Sequence, residues 1–315
     1  MLAAVTCRLA RASSARAGIA VVYHRVGGKG GDSRLEILAA LSGDSFARQL
    51  RHLRRHYRLV PAGDLLEAAR NRRRWQRFPA SVTFDDDLAG HVQQALPALQ
   101  RAGVPATFFL GGTSLNGPSP FWWEDLQRAV DGRLVEPDAV PHVPADELLA
   151  ALERSPKAIF RVAATIERLD RAARAETAAA LRAAVGPTPA DEGLSAAGIK
   201  ALVAAGAQVG FHTLRHELLP GLSDAELEEA MSEGRQELAS TAGVPLDVIS
   251  YPHGRADDRV ADAARAAGFK YGFVTARTPV TGETNPLLIP RIPPAPSPGK
   301  TALRLARAVA SSRRR

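Results

Sequence analysis

The run ASVTFDDD, residues 80–87, is a short and mostly apolar segment that ends in three adjacent carboxylates. Short apolar runs are typical of strands covered on both faces, as in a parallel sheet. Similar runs recur along the chain, and the pattern predicts strands at 19–24, 57–60, 80–84, 106–110, 207–211, 248–251, 271–275 and 287–289.

Amphipathic helices are predicted between these strands, at 44–56, 91–102, 194–205 and 224–242. The last of them has a clear start signal, because Ser223 can cap it and Glu226 completes a capping box. Strands that alternate with helices imply parallel strands joined by helical crossovers. The fold class is therefore α/β, and a parallel (β/α) barrel is the architecture that we expect.

Three segments depart from this rhythm. Residues 113–193 open with a Gly-, Pro- and Ser-rich loop and continue without a convincing strand, which predicts a helical insertion in a barrel spanning 19–292. Trp122 and Trp123 lie in the insertion and either cover a binding cleft or dock the insertion on the barrel. Residues 1–18 are interpreted as an N-terminal arm, and 293–315 as a proline-rich, basic and mobile tail.

The 315-residue composition excludes several classes of protein. The single Cys7 rules out an internal disulfide and a multi-cysteine zinc site, so any metal must be held by histidine and carboxylate. No run approaches the roughly 18 apolar residues of a membrane span, and no block resembles a signal peptide. We therefore predict a cytoplasmic protein without a membrane span.

The formal net charge is +8, with 41 basic and 33 acidic residues. The arginines are interspersed with alanine along the chain, which favours solvated helix faces. Clusters at 51–58, 71–77 and 311–315 could contact an anionic partner. No nucleic-acid recognition module accompanies them, so no specific nucleic-acid partner is predicted.

Polar side chains follow four of the predicted strands. In a parallel barrel the carboxyl ends of all strands meet at one rim, where active sites are built. Three histidines, three aspartates and a tyrosine should therefore gather there: His24, Asp85, Asp86, Asp87, His212, His216 and Tyr251.

Two of these groups suggest a metal site. Taken singly, His24 could be structural and the aspartates could cap a helix. His212 and His216 have the spacing that brings two imidazoles together, and adjacent carboxylates are best explained by a nearby cation. Two histidines and one carboxylate leave open positions on a divalent ion, and the second carboxylate is then free to act as a base. The combination indicates a hydrolase.

The order YHRV, TFDD, HTLRH and YPHG, at 23–26, 83–86, 212–216 and 251–254, resembles the polysaccharide deacetylase family. This is carbohydrate esterase family four, which has a NodB-type domain, and the resemblance spans about 19–292. It implies a distorted (β/α) barrel of about seven strands. By motif position, Asp85 would be the general base, while Asp86, His212 and His216 would hold the metal.

The resemblance also implies a proton donor and an oxyanion site. His24 would protonate the leaving amine, as in the branch of the family with an N-terminal YHxV motif. The backbone N–H of Tyr251 would stabilise the oxyanion. Two departures stand out: Asp87 replaces the usual glycine and could compete for the metal, and no histidine follows His253. Arg291 lies near the usual place of the missing histidine and either binds substrate or orients a catalytic carboxylate.

The predicted function is metal-dependent removal of an N-acetyl group from an amino sugar or glycan. Zinc is the default metal, and iron, cobalt or nickel would also fit. The alternatives are a deformylase or other C–N hydrolase on a small or lipid-linked sugar, and a degraded barrel that only binds carbohydrate. The basic surface could contact an anionic lipid-linked or nucleotide-linked substrate. Substrate contacts are predicted for Asp87, Thr213, Pro252, His253, Arg291, Trp122 and Trp123.

Overall fold

Seven parallel strands close into a barrel. The computed structural model describes residues 11–28, 31–115, 121–186 and 193–311. Its strands are β1 Ala17–Tyr23, β2 Arg58–Leu59, β3 Pro79–Asp85, β4 Ala106–Leu110, β5 Gln208–Phe211, β6 Val248–Ser250, β7 Tyr271–Thr275, β8 Val280–Thr281 and β9 Ile289–Ile292. The barrel order is β3-β4-β5-β6-β7-β9-β1, and pairing of β1 with β3 closes it. The short β2 pairs with the start of β3, and β8 is antiparallel to β1.

The described residues also form helices, some on the outside of the barrel and some in the insertion. They are α1 Gly43–His56, α2 Leu65–Arg70, α3 Leu96–Ala102, α4 Trp122–Gly132, α5 Ala145–Leu152, α6 Ala158–Glu167, α7 Arg171–Val185, α8 Ala196–Ala204, α9 Asp224–Ser232, α10 Arg235–Ala242, α11 Asp258–Ala266 and α12 Pro298–Ser311. The capping box of Ser223 and Glu226 at α9 is confirmed. The single helix predicted over 224–242 is wrong, because the chain breaks at Gly234, whose φ of 74° is left-handed.

Residues alternate across the barrel wall with the period of two that a strand imposes. On β3, Val82 and Phe84 pack outward into the main hydrophobic core beneath the helices. Thr83 and Asp85 point inward, where both contact Arg291. The deeper interior is apolar and is filled by Ala20, Phe109, Val248, Phe273 and Ile289. A polar layer therefore lies above an apolar plug inside the barrel.

The insertion between β4 and β5 is helical over its described residues. Helices α4 to α7 enclose a hydrophobic core of their own, with Leu126, Leu148, Val162 and Leu181 among its fully buried members. No strand occurs between 121 and 186. This small helical core holds the insertion's side chains against the rim of the barrel.

The mobile tail predicted for 293–315 is wrong over 298–311, which form α12. Leu305, Ala306 and Val309 recur at helical spacing and are buried in the main core, so this helix has an apolar face to cover. Residues 312–315 and, at the other end, 1–10 with Cys7 lie outside the described residues. Among the described helices, none combines the length and apolar character needed to cross a bilayer.

A candidate metal centre and catalytic pocket

A pocket of about 250 Å³ opens at the carboxyl ends of the barrel strands. The barrel and the insertion both contribute to its wall, and two apolar residues come from the loop after β1. The lining includes His24, Ile37, Leu38, Asp85, Asp86, Trp122, Trp123, Glu167, His212, His216 and His253. The structure thus brings the strand-end residues of the barrel together with side chains more than 30 residues away in the insertion.

Asp86, His212 and His216 converge on one point. Asp86 Oδ1 lies 3.6 Å from His212 Nε2 and 3.5 Å from His216 Nε2. These separations exceed a hydrogen bond, but two ligands of a tetrahedral ion at about 2.0–2.1 Å lie about 3.4 Å apart. Of the described residues, this is the group of three metal-ligating side chains that could hold an ion.

The surroundings of these atoms fit a cation. Asp86 Oδ1 is buried without a hydrogen-bond partner, which is costly unless another group satisfies it. His212 uses Nδ1 to contact the Ser250 carbonyl at 2.7 Å, so its Nε2 faces the site. Backbone strain also accompanies the site, since Asp86 and His216 have φ values of 72° and 49°. The residues present therefore fit a divalent metal ion, which would satisfy Asp86 Oδ1 and face His212 Nε2.

The second carboxylate, Asp85, is held by a buried arginine. Arg291 on β9 is fully buried and donates to Asp85 Oδ1 at 2.6 Å and to Oδ2 at 2.7 Å. It also donates to Ser250 Oγ at 2.6 Å and to Thr83 Oγ1 at 3.3 Å. The hypothesis that Arg291 orients a catalytic carboxylate agrees with this geometry. Its alternative role in substrate binding is wrong, because no part of the side chain is exposed.

Charges in the pocket favour an ionised Asp85. Burial opposes ionisation, but the charge and hydrogen bonds of Arg291, with a contribution from His212, hold the pKa of Asp85 below its usual value. Burial likewise opposes ionisation of Asp86, and the nearby histidines nevertheless lower its pKa. For His212 burial lowers the pKa, whereas the two aspartates more than offset this and raise it. Both carboxylates are therefore favoured in the ionised form, which is the form that binds a metal or accepts a proton.

His24 lies on the open side of the same carboxylate. Its Nε2 is 4.0 Å from Asp85 Oδ2, and its side chain is 37% exposed. It follows the last residue of β1, as the strand-end placement predicted. A proton donor at this position would face a substrate that enters from the mouth of the pocket.

Asp87 does not belong to the pocket. Its carboxylate accepts hydrogen bonds from the Gly111 N–H at 3.0 Å and from the N–H and hydroxyl of Thr113, both at 2.8 Å. Burial, with the charge of Asp86, raises the pKa of Asp87. The predictions that Asp87 binds substrate or competes for the metal are wrong, since its oxygens tie the loop after β4 to the end of β3.

Tyr251 also faces away from the pocket. Its N–H donates to the Phe273 carbonyl at 3.1 Å, and its buried hydroxyl donates to the Leu287 carbonyl at 2.9 Å. The predicted role of this N–H in stabilising an oxyanion is wrong, because the sheet already uses it. Pro252 and Thr213 are buried and do not line the pocket, so their predicted substrate contacts are not supported.

The insertion adds one group that the sequence did not reveal. Glu167, at the end of α6, lies 3.2 Å from His253 Nδ1 through its Oε1 atom. Trp123 packs on His216 with 4.7 Å between ring centroids, and Trp122 is perpendicular to Trp123. His253, Trp122 and Trp123 therefore reach the pocket as predicted. Glu167 gives no local signal in the sequence, because its helix is set by the insertion's own core.

A larger cavity lies elsewhere in the described part of the protein. It has a volume of about 880 Å³ and lies between α9, α10 and α11, lined in part by Leu227, Met231 and Ala263. The metal-ligating group is not in it. Size and chemistry therefore point to different places, and the chemistry identifies the smaller pocket as the functional one.

A (β/α) barrel with two histidines and one aspartate at its carboxyl rim, beside a second carboxylate, defines a hydrolase class with a candidate metal centre. The family model for polysaccharide deacetylase matches residues 74–272, and the chain belongs to this family. The protein is accordingly a hydrolase that acts on N-acetyl amide bonds. No curated protein gives a sequence match to the chain.

Several solved structures share the fold. The Streptococcus pyogenes deacetylase PplD, in complex with acetate, is 15% identical with a TM-score of 0.60, over 92% of this chain and 98% of that one. IcaB from Ammonifex degensii is 19% identical with a TM-score of 0.58, over 93% and 97%. The de-N-acetylase from Aggregatibacter actinomycetemcomitans is 13% identical with a TM-score of 0.55, over 88% and 94%. At these identities the likeness concerns the fold.

Proposed function

We propose that this protein removes the N-acetyl group from an amino sugar within a glycan, with one divalent metal ion held by Asp86, His212 and His216. The observation that carries the proposal is the orphaned Asp86 Oδ1, which lies 3.5–3.6 Å from two imidazole nitrogens and next to the paired carboxylate of Asp85. Two imidazoles and a carboxylate favour zinc, and iron, cobalt and nickel also accept this ligand set.

Three side chains have defined tasks in this reaction, together with the metal. When bound, the metal supplies Lewis acidity that polarises the acetyl carbonyl and makes water a better nucleophile. Asp85, which Arg291 holds in place and keeps ionised, accepts the proton of the attacking water. His24, which lines the same pocket and is partly exposed, gives a proton to the nitrogen of the leaving amine. The products are acetate and a free amino sugar.

The insertion supplies the walls that receive the sugar. Trp122 and Trp123 offer aromatic faces, and Ile37 and Leu38 extend the apolar surface. Glu167 adds a carboxylate that can accept hydrogen bonds from sugar hydroxyls. A wall that combines apolar faces with a few polar groups suits a sugar ring, and the acetate bound by the related PplD agrees with an acetyl product.

The test is acetate release from a panel of N-acetylated glycans, lipid-linked sugars and nucleotide-linked sugars, with and without a chelator. Asp85→Asn should keep the metal but lose at least about 100-fold in turnover, which is typical for removal of a general base. Asp258→Asn, an exposed change at the start of α11, is the matched control and should keep full activity. Near-normal turnover of metal-loaded Asp85→Asn would overturn the mechanism.

The same assay separates the alternative functions. Formate release in place of acetate release would identify a deformylase. Metal-loaded protein that binds N-acetylated glycans but releases no acid from any of them would identify a carbohydrate-binding barrel. Two sequence features suggested that last alternative, Asp87 and the absence of a histidine after His253. Asp87 lies outside the pocket, so only the missing histidine still favours it.

A further inference from the structure

One segment of the chain has a strongly positive net charge. Residues 45–78 contain ten arginines and two carboxylates, a net charge of +8, which equals the formal net charge of the whole protein. The formal net charge of the remaining residues is therefore zero. This distribution corrects the interpretation of a uniform arginine background, because residues 45–78 are richer in arginine than the chain as a whole.

The loop before β3 is built around a buried arginine. Arg72 is 3% exposed and donates to the backbone carbonyls of Arg11, Ser13, Ala15 and Gln76. Its guanidinium also lies 3.7 Å from the centre of the Phe78 ring. These contacts fix the path of the loop on both sides of residues 73–75.

The same loop holds a tryptophan outward. Trp75 has a left-handed φ of 70°, and its backbone N–H donates to the Arg11 carbonyl at 2.7 Å. Its side chain is 66% exposed. It is the most exposed of the large hydrophobic side chains in the described part of the protein. A fixed loop that holds a tryptophan in a strained backbone conformation, with its side chain exposed, indicates a contact surface.

Arginines lie next to this tryptophan in the chain, and the Arg74 guanidinium is 5.2 Å from the centre of its ring. We define the Trp75 surface as Trp75 with five exposed arginines, two at the end of α1 and three in the loop: Arg54, Arg55, Arg73, Arg74 and Arg77. The two parts adjoin, because Arg77 donates to the Arg54 carbonyl at 3.2 Å. In residues 11–28, 31–115, 121–186 and 193–311, no ion pair to a carboxylate involves any of the five. Their bonds to the protein go to backbone carbonyls, as Arg54 to Ala102 and Arg74 to Ala12.

We propose that the Trp75 surface binds the face of an anionic phospholipid bilayer. Tryptophan is enriched where membranes meet water, and clustered arginines near such a surface are attracted to acidic headgroups. Guanidinium groups bonded only to neutral carbonyls keep their charge available for phosphates. The one exposed indole enters the headgroup layer, and the arginines around it pair with the lipid phosphates.

This placement leaves the catalytic pocket free. The loop comes directly before Pro79, the first residue of β3, and Asp85 is the last residue of that strand. The loop and Asp85 therefore lie at opposite ends of β3, about 20 Å apart. The Trp75 surface is thus at the opposite rim of the barrel from the pocket. The bound enzyme would present its pocket away from the bilayer, towards a glycan that extends from the membrane surface.

Sedimentation of the full-length protein with vesicles tests the proposal. The protein should bind phosphatidylglycerol-containing vesicles and not vesicles of pure phosphatidylcholine, and added salt should weaken binding. Arg73→Gln with Arg77→Gln should weaken partitioning about 30-fold, which is the effect expected when two surface charges that attract acidic headgroups are lost. Arg133→Gln with Arg161→Gln removes two exposed charges from the insertion and is the matched control, with a change of less than about threefold.

The tryptophan gives a second readout. Brominated lipids in the vesicles should quench fluorescence of the wild type, and Trp75→Phe should remove that quenching while Trp122 and Trp123 remain. Acetate release from a soluble substrate should be unchanged in both surface variants, which separates this proposal from the proposed function. Equal binding to both kinds of vesicle, or an equal loss in the insertion control, would overturn it. Retention on duplex DNA with none on vesicles would also overturn it and assign the surface to nucleic acid.

Discussion

Replacing Arg291 with methionine should unfold the barrel more readily, and the loss should depend on pH. The guanidinium is fully buried and makes four hydrogen bonds, two of them to Asp85. Methionine fills much of the volume but leaves a buried carboxylate without its partner. Removal of one member of a buried ion pair costs about 3–5 kcal/mol, so we expect a loss of that size in the free energy of unfolding at neutral pH.

The sign of the pH dependence follows from the pKa of Asp85. In the wild type that pKa is lowered, so the carboxylate contributes stability above its unfolded pKa of about 3.9, and the contribution is lost as pH falls through the folded value. In Arg291→Met, burial without the cation should raise the pKa. The variant is then least destabilised below about pH 4 and loses stability as pH rises through its raised folded pKa. The difference from the wild type should be larger at pH 8 than at pH 5.

Urea denaturation followed by circular dichroism at both pH values measures this effect, with chelator present so that metal binding does not add to stability. Asp85→Asn and the double variant complete a double-mutant cycle. Each single change leaves the other group buried without its partner. The double variant should therefore be more stable than the sum of the two losses predicts, by at least about 2 kcal/mol. Additive losses, or an Arg291→Met loss below about 1 kcal/mol and equal at both pH values, would refute the reasoning.

Three further predictions concern the metal centre and its frame. His216→Ala should leave two of three ligands, and we expect equilibrium dialysis to show bound zinc well below one equivalent at concentrations that saturate the wild type. Asp87→Asn should lower unfolding stability by about 1–3 kcal/mol in urea, because its oxygens accept three hydrogen bonds, yet leave zinc content unchanged. Gly234→Ala should cost about 1–3 kcal/mol at an unchanged rate of acetate release, since a Cβ at φ 74° would lie 3.1 Å from Leu214.

Much of the site was predictable because strand ends in a parallel barrel share one rim. That rule placed His24, Asp85, Asp86 and the two histidines of HTLRH in one pocket before any contact was known. It says which end of a strand a residue occupies, and it does not say which side of the barrel wall the side chain faces. The expectation that Tyr251 gathers at the rim with the other side chains lacks this piece, and so does the choice between the two roles left open for Arg291.

The period of two along a strand supplies that piece. Ser250 points into the barrel, where its hydroxyl reaches Asp85, so the next residue, Tyr251, must point outward to the core beneath the helices. On β9, Ile289 lies in the interior cluster, so Arg291, two residues later, lies inside as well. Counting alternate residues from an apolar interior position would have found both orientations from the sequence.

Other features depend on contacts that no local pattern encodes. Glu167 reaches the pocket because four helices of the insertion pack on one another and set where α6 ends. The break at Gly234 gives only a weak signal, because a single glycine is tolerated within many helices. The tail helix α12 was hidden by the proline-rich stretch before it, although Leu305 and Val309 have the spacing of a buried helix face.

The layered interior explains how a barrel can hold an ionised carboxylate at its rim. Phe109, Phe273 and Ile289 fill the lower interior and exclude water from beneath Asp85. Burial of this kind alone would neutralise a carboxylate, and a neutral acid cannot accept the proton of water. Arg291 extends from β9 through the polar layer and offsets that effect with the positive charge of its guanidinium, which donates to both oxygens of Asp85. The last barrel strand thus carries an arginine in a chain that has no histidine after His253, and the proposed mechanism assigns the acid step to His24, which follows the first strand.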